Sequence, residues 1–257
     1  MPWDPERYEQ FKKERFAPFD DLVALVRVRP GLRAIDLGCG TGELTRRLAD
    51  ALPGSDVLGV DSSAEMLERS KEFARPGLRF EQRTIEELLG AGAQDEWDLV
   101  FSNAALQWVP DHERVFPAIF RLVRPGGQLV VQMPSNYTHP THTFIDELAQ
   151  EEPFRSALRG YRRSWLAHGI EEYAQMLYDC GALDIVVFEK VYPHVLPDAD
   201  ALADWTSGTA LVPYMERLPD DLRGPFMERY RARLRERFPQ RPVFYGFKRI
   251  LLAATKP

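Results

Sequence analysis

The sequence has little cysteine and no long hydrophobic run, and each absence excludes a class of protein. The two cysteines, Cys39 and Cys180, have no CxxC or Cys/His neighbour, so we expect neither a zinc site nor a disulfide. No apolar stretch approaches the length of a membrane span. The first residues, Met-Pro-Trp-Asp-Pro, lack the basic and then apolar run of a signal peptide. These absences predict a protein of the reducing cytoplasm with no membrane partner.

The sequence also lacks an excess of positive charge. Its 33 Lys and Arg residues face 39 Asp and Glu residues, and the net charge of −6 argues against nucleic acid as the main partner. His139 and His142 have no third ligand at a useful spacing, so we expect no metal. A chain of 257 residues suits one large domain, or one core with a substantial insertion. We expect a monomer or a weak dimer.

Among the features that are present, the most informative is a glycine-rich turn. Residues 36–42 read Asp-Leu-Gly-Cys-Gly-Thr-Gly, after the apolar pair Ala34-Ile35 and before an amphipathic helical segment. Nineteen residues past Gly42, the apolar run 57–60 ends in Asp61. This arrangement suits a nucleoside ligand, because the backbone approaches it closely at the turn and the carboxylate accepts from the ribose hydroxyls.

The spacing of the glycines narrows the ligand. Dinucleotide enzymes use G-x-G-x-x-G, whereas here the third glycine, Gly42, comes one residue early. Asp36 lies two residues before the first glycine. An acid followed by G-x-G-x-G resembles motif I of the class I S-adenosylmethionine (SAM) methyltransferases.

Strands alternate with helices as far as residue 133, which predicts right-handed parallel crossovers in an open sheet. Within this part, Pro125-Gly126-Gly127 ends a helix over 112–123 and precedes a strand from 128 to 133. Residues 134–169 show no clean period, and residues 193–241 contain two helical stretches, the second with an apolar ridge. The predicted divisions are an N-terminal helical lid (1–32), a SAM-binding core (33–133), a cap insertion (134–169), a core helix and strand (170–192), a helical cap insertion (193–241) and the last core strand (242–257).

A wider set of segments carries a second resemblance: Trp3-Asp4-Pro5, Tyr8, Phe11, Glu14-Arg15, residues 101–112, Arg124-Pro125-Gly126-Gly127, residues 129–131, Gln132-Met133-Pro134, Trp205, Leu211-Val212-Pro213-Tyr214 and Phe247-Lys248-Arg249. Together they resemble the trans-aconitate 2-methyltransferase family over nearly the whole chain, less so between 134 and 200. The resemblance implies an α/β fold with a class I methyltransferase Rossmann-like sheet. That sheet has seven mostly parallel strands, an antiparallel last strand and a helical cap formed by insertions. The resemblance also implies SAM as donor, S-adenosylhomocysteine as product, and formation of a monomethyl ester on a small polycarboxylic acid such as trans-aconitate.

The donor-binding prediction follows the motif and the resemblance. Asp36 either balances the ammonium group of SAM or is a structural acid at a strand end. Asp61 accepts from the ribose hydroxyls or caps the next helix, a role that Ser62 or Ser63 also offers. The predicted donor-binding residues are Asp36, Gly38, Gly40, Gly42, Asp61, Ser62, Met66, Thr84, Ile85, Asn103, Ala104, Trp108, Tyr8 and Arg15.

Several of these residues have a second interpretation. Thr84 stands after the third strand, where many relatives carry an acid that contacts the adenine amino group. Glu86 is the alternative residue for that contact. Trp108 either walls the pocket or packs in the core. Tyr8 and Arg15 either fold over the donor as a lid or belong to a helix packed on the sheet.

The acceptor side needs cations and hydroxyls rather than a base. A carboxylate with a pKa near about 4 arrives ionised at neutral pH, so no catalytic residue is predicted, and alignment and exclusion of water carry the reaction. Arg249, before the final strand, is the leading anchor, and the arginines at 155–163 otherwise form a solvated helix face. The predicted substrate-binding residues are Arg249, Tyr214, Tyr137, His139, Trp205 and Arg162.

Other functions remain open at this point. The same donor with a carrier-bound acid, or with a natural-product hydroxyl or carbon, is one alternative, and a hydroxyl or carbon acceptor needs a base such as His139, His142 or His168. A nicotinamide oxidoreductase is opposed by the early third glycine. A noncatalytic nucleoside-sensing module is opposed by the combination of a donor loop and a large cap.

Overall fold

The computed structural model describes the backbone of residues 12–92, 94–163 and 167–257, with side chains from residue 16 onward. In these ranges the strands are β1 (Arg33–Leu37), β2 (Asp56–Asp61), β3 (Leu78–Gln82), β4 (Trp97–Asn103), β5 (Val123–Pro134), β6 (Leu183–Leu196) and β7 (Val243–Thr255). They form a seven-stranded sheet with the order β3-β2-β1-β4-β5-β7-β6.

The sheet is mostly parallel. Strand β1 pairs in parallel with β2 and β4, β2 with β3, and β4 with β5, whereas β7 runs antiparallel to β5. The predicted fold class is therefore confirmed. The strand order reverses direction at β1, because β2 and β3 lie on one side of β1 and β4 and β5 lie on the other. Open α/β sheets bind ligands at such a switch point, beyond the carboxyl ends of the strands.

Helices fill the connections between the strands. In chain order they are α1 (Lys12–Val23), α2 (Glu43–Ala51), α3 (Ala64–Ser70), α4 (Ile85–Gly90), α5 (His112–Leu122), α6 (Pro140–Ala149), α7 (Phe154–Ala157), α8 (Ile170–Asp179), α9 (Ala199–Ser207), α10 (Val212–Arg217) and α11 (Asp220–Arg237). Short 3₁₀ helices occupy Lys71–Phe73 and Leu106–Trp108. Among the helices described, none combines the length and apolar composition that crossing a bilayer requires.

One face of the sheet packs against α4, α5 and α8 in a continuous apolar core. Helix α5 contributes Phe116 and Ile119, whose three-residue spacing puts both on the buried side. From the strands, Val100 and Val131 are fully buried in the same cluster. Burying a large apolar side chain of this kind stabilises the fold by roughly 1.5–3 kcal/mol.

The contacts divide the described chain into two compact units. The first comprises residues 13–135, 167–190 and 249–257, and we call it the sheet unit; the second comprises residues 136–163 and 191–248, and we call it the cap unit. The cap unit has its own core, in which Phe226, Tyr230 and Leu234 of α11 are fully buried. Their four-residue spacing is the apolar ridge predicted from the sequence, which is thereby confirmed.

Some elements differ in number or extent from those predicted. Residues 134–169, which show no clean period in the sequence, contain α6 and α7, and residues 193–241 contain three helices rather than two. Strand β5 begins at Val123, not at 128, because Val123 already pairs with Trp97 across a register shift. The Pro-Gly-Gly segment is thus part of the strand, where the Gly126 amide donates to the Lys256 carbonyl.

Candidate active site

The turn after β1 contains two glycines with different surroundings, one tightly packed and one with open space beside it. Gly38 has a φ of +77°, and a Cβ there would lie 2.2 Å from the Cβ of Ala105. Gly40 has a φ of +55°, and a Cβ there would meet no described atom within 4 Å. Only glycine adopts both backbone conformations readily. Gly38 thus permits close packing of two loops, whereas Gly40 leaves open space into which a ligand can approach the backbone.

Asp61, at the end of β2, ties this turn to the next helix. Its Oδ2 accepts from the Gly40 amide at 2.9 Å, and its Oδ1 accepts from the Ser63 amide at 2.9 Å. Ser63, rather than Ser62, caps α3 by accepting from the Met66 amide. Each carboxylate oxygen keeps acceptor capacity for a further hydroxyl, so both interpretations of Asp61 are compatible.

Asp36, at the end of β1, is buried and only half satisfied. Its Oδ2 accepts from the Thr45 hydroxyl at 2.6 Å, while its Oδ1 is buried with no partner among the described residues. Burial raises the pKa of Asp36 to about 7; the Thr45 hydrogen bond opposes this rise and the nearby Asp61 charge adds to it. A carboxylate held in this way favours a bound cation, which would restore its charge balance.

The loop after β4 presents further acceptors. The Asn103 Oδ1 and the Gln107 Oε1 are buried and lack hydrogen-bond partners within the described part of the chain. Ala104 between them has a φ of +56°, a conformation rarely adopted by alanine, and such strain clusters at ligand sites. Trp108 is 54% exposed, so the core interpretation is wrong, and its contact with a ligand stays a prediction. Sequence reasoning missed Gln107, although it lies four residues past Asn103 in the same loop.

Strand register places four of the polar residues on one face of the sheet. Asp36 on β1 pairs with Phe101 on β4, two residues before Asn103. Asn103 pairs with Gln132 on β5, and Arg249 on β7 pairs with the residue two positions after Gln132. Neighbours in register share a face, as do residues two apart on a strand. The polar row on this face, beyond the apolar part of the sheet, is therefore Asp36, Asn103, Gln132 and Arg249.

The predicted adenine end lies beyond β3. Thr84 caps α4: its Oγ1 accepts from the Glu87 amide at 3.0 Å, and the Glu87 carboxylate accepts from the Thr84 amide. Ile85 is buried in the core of the sheet unit, Met66 is half-buried and Glu86 is exposed. The Thr84 hydroxyl thus has a structural function, and its contact with adenine stays a prediction.

The predicted lid lies largely outside the described residues. Tyr8 and the side chain of Arg15 are outside them, although the backbone of Arg15 belongs to α1. Farther along α1, Phe19 packs edge-on against Phe101 at 5.9 Å between ring centroids. Phe101 belongs to the face that carries the polar row.

In the cap unit, Tyr214 is fully buried and its hydroxyl is engaged twice. The hydroxyl donates to Asp146 Oδ1 at 2.5 Å and accepts from the Arg163 amide at 3.1 Å. Arg162 is exposed, whereas the neighbouring Arg163 is half-buried. Burial lowers the pKa of Arg163, and Tyr161, Tyr214, Tyr137 and Asp146 oppose that change. The structure thus favours Arg163 over Arg162 as a cap cation; both belong to the arginines at 155–163, and no pattern in the sequence distinguishes the half-buried one from the exposed one.

The other predicted cap residues belong to an aromatic group. His139 caps α6 and lies 4.9 Å from the Tyr245 ring, between centroids. Trp205 packs against His194 at 4.8 Å. Tyr137 is half-buried, and burial raises its pKa while the charge of Arg163 opposes the rise. No cluster of His, Cys, Asp or Glu in the described ranges has an arrangement that could hold a metal ion.

The sheet unit fits the amino-acid end of SAM. Two unpartnered acceptor oxygens, on Asp36 and Asn103, suit an ammonium group, and the open side of Gly40 admits the ligand to the backbone. Asp61 lies at the same turn, where the Gly40 and Ser63 amides hold its two carboxylate oxygens in place. Each oxygen can accept one further hydrogen bond, which suits the ribose hydroxyls.

Comparisons with known proteins identify the family. A methyltransferase-domain family model matches residues 29–194. The trans-aconitate 2-methyltransferase of Deinococcus radiodurans is 46% identical, covering 100% of this chain and 99% of its own length, and that of Variovorax paradoxus is 35% identical with the same coverage.

Solved structures agree in fold. Bacillus subtilis YcgJ has a TM-score of 0.61 at 16% identity, covering 94% of this chain and 98% of its own. Haemonchus contortus phosphoethanolamine N-methyltransferase 2, in complex with S-adenosyl-L-methionine, has a TM-score of 0.55 at 18% identity, covering 94% of this chain and 52% of its own. From its full-length match to curated relatives, the chain belongs to the trans-aconitate 2-methyltransferase family of methyltransferases.

Proposed function

We propose that the protein transfers a methyl group from SAM to a carboxylate of trans-aconitate, giving a monomethyl ester and S-adenosylhomocysteine. The observation that carries this proposal is the pair of buried acceptor oxygens beside the glycine turn, on Asp36 and Asn103, which have no partner in the described chain. Full-length relatives named for this activity, at 46% and 35% identity, support the choice of acceptor.

The donor is held by groups that the fold has already fixed. The Asp61 carboxylate is oriented by the Gly40 and Ser63 amides, so its free acceptor capacity points in a defined direction for the ribose hydroxyls. Asp36 and Asn103 accept from the ammonium group. Their side chains lie on the same face of the sheet, at the carboxyl ends of β1 and β4.

The reaction requires the side chains mainly to orient the two substrates. Bound SAM supplies a methyl group on a positively charged sulfur. The acceptor carboxylate, with a pKa near about 4, is ionised at neutral pH, so no residue has to remove a proton. The residues contribute by aligning the acceptor and by excluding water.

Arg249 anchors a carboxylate of the acid that does not react. Its Nη1 donates to the Gln132 Oε1 at 3.1 Å, which fixes a guanidinium group on the same face as Asp36 and Asn103. A guanidinium group binds a carboxylate through two parallel hydrogen bonds, and this geometry suits an acid with several carboxylates.

Two substitutions separate the donor from the acceptor. We expect Asp61→Ala to raise the Kd for SAM in titration calorimetry. We expect Arg249→Ala to raise the KM for trans-aconitate about tenfold or more, because a hydrogen bond to a charged group is lost, without changing SAM binding. Arg79→Ala, which removes an exposed cation of β3 paired with Asp56, is the matched control and should change neither constant. If Arg249→Ala changed SAM binding alone, the acceptor assignment would be wrong.

A screen of acceptors tests the reaction itself. Radiolabelled methyl transfer is measured over a series of di- and tricarboxylic acids. Absence of turnover on every acid, with SAM binding intact, would favour a carrier-bound acid or a hydroxyl or carbon acceptor instead. The expected monomer or weak dimer is measured on the same preparation by sedimentation.

A further inference from the structure

Two glutamines on β5 share a face of the sheet but differ in how their amides are satisfied. Gln128 has both ends paired: its Oε1 accepts from the Arg27 amide at 3.0 Å and its Nε2 donates to the Leu25 carbonyl at 2.9 Å. Gln132 is completely buried and has one end paired, with Oε1 accepting from Arg249. Its Nε2 has no acceptor among the described residues.

A buried amide nitrogen without an acceptor costs free energy, and native structures leave few such groups. A ligand that brings its own acceptor would remove that cost. Gln132 therefore points to an acceptor atom on a ligand at the carboxyl end of β5.

The neighbours of Gln132 define the chemistry of that ligand. On one side, the Arg249 guanidinium is a cation held by the same amide. On the other side, Asn103 of β4 lies in register and offers an unpartnered acceptor oxygen. The polar row therefore changes character along the face, with acceptors on β1 and β4 and donors on β5 and β7. A cationic group suits the first half, and an anionic group suits the second.

We propose that the Gln132 Nε2 and the Arg249 guanidinium together bind one carboxylate of the acid acceptor. This inference rests on the proposed function and adds a second acceptor-binding residue to it. Gln132 acts in two ways: its nitrogen donates to the carboxylate, and its oxygen holds Arg249 in the orientation for the same carboxylate. Removing the amide therefore weakens both contacts.

The experiment compares Gln132→Met, which keeps the length but removes the amide, with the matched control Gln128→Met on the same strand and face. Steady-state methyl transfer gives the KM for trans-aconitate, and calorimetry gives the Kd for SAM. We expect Gln132→Met to raise the acceptor KM about tenfold or more and to leave the SAM Kd within about threefold. We expect Gln128→Met to lower the melting temperature and to leave both constants unchanged.

A second variant keeps the test decisive if Gln132→Met folds poorly. Gln132→Glu preserves the shape of the side chain but replaces the donor by a carboxylate oxygen, which neutralises Arg249 and repels an acid. Its acceptor KM should rise at least as far. With an acid that has a single carboxylate, the penalty in both variants should be lost, because the anchored group is then missing.

The main competing ligand is the carboxylate of SAM itself. In that case the Gln132 variants would raise the SAM Kd and leave the acceptor KM unchanged, while methylthioadenosine, which lacks the amino-acid group, would bind all variants equally. That pattern would overturn this inference. An unchanged KM and Kd in Gln132→Glu would overturn it as well. Failure of the wild-type protein to methylate any acid would instead refute the proposed function.

Discussion

The buried carboxyl of Asp36 makes SAM binding dependent on pH in a range that is easily measured. Its pKa is raised to about 7, chiefly by burial. Only the ionised form balances the ammonium group of SAM. With a pKa of about 7, the ionised fraction is about three quarters at pH 7.5 and about one tenth at pH 6. The apparent Kd for SAM should therefore rise about eightfold between these values.

Calorimetry at pH 6 and 7.5 tests this expectation, because the ligand's own α-amino group, with a pKa near about 8, is still about three quarters protonated at pH 7.5 and changes the Kd far less than eightfold. Asp36→Asn is the control, since it keeps the size and an acceptor for Thr45 but does not titrate. Its Kd should be higher than that of the wild type at pH 7.5 and the same at both pH values. A flat Kd in the wild-type protein, or an equal slope in the variant, would refute the role of Asp36.

The same carboxyl affects folding with a definite sign. Its pKa is about 3.9 in an unfolded chain and about 7 in the folded protein, so the folded state holds the proton to higher pH. The contribution of Asp36 to the free energy of unfolding is therefore most favourable below pH 4. It falls as the pH rises, and the loss reaches about 4 kcal/mol at about pH 7. In urea denaturation, Asp36→Asn should gain stability relative to the wild type over this range while binding SAM less well.

Two further outcomes are expected. Gly40→Ala should raise the SAM Kd tenfold or more, because its Cβ would occupy the open side of the turn. Gly31→Ala is the control, since Gly31 also has a positive φ and open surroundings. In denaturant titrations both variants should lose roughly 1–2 kcal/mol of stability, but Gly31→Ala should leave the SAM Kd unchanged. The kcat for trans-aconitate, measured with both substrates saturating, should vary less than about twofold from pH 6 to 8, since the acceptor is ionised throughout; a limb with a pKa near 7 would indicate a general base.

Much of the fold could be predicted where the pattern is local. Helix α5, at His112–Leu122, matches the helix predicted over 112–123 to within one residue, because hydrophobic periodicity and the turn that follows define it. Helix α6 was missed for a physical reason. His142 and Asp146 point inward and are buried, with partners that include the hydroxyls of Thr141 and Tyr214. Polar residues on a buried face hide the apolar period that identifies a helix from sequence.

The candidate site also has one part that local sequence patterns predict and another part that they do not. The glycine turn and Asp61 belong to one short strand-turn-helix-strand segment, so their spacing alone pointed to a nucleoside. Gln132 and Arg249 are 117 positions apart and meet through the antiparallel pairing of β5 and β7. No spacing in the sequence reports that register, and the resemblance to a family, although its segments include both residues, led to a role for Arg249 alone. A residue whose function depends on a partner in a distant strand becomes visible once the sheet is assembled.

Two histidines of the cap unit, the half-buried His139 and the buried His142, bear on the choice between an acid and a hydroxyl acceptor. Burial lowers the pKa of His139 to about 4, helped by Arg237 and Lys248, and lowers that of His142 to about 3. Both Nδ1 atoms share the Thr141 hydroxyl as a hydrogen-bond partner. An imidazole whose conjugate acid has so low a pKa is neutral at pH 7 but accepts a proton from a hydroxyl too weakly for efficient general-base catalysis. These two residues are therefore poor candidates for the base that a hydroxyl acceptor needs, and an acceptor that arrives ionised needs no base.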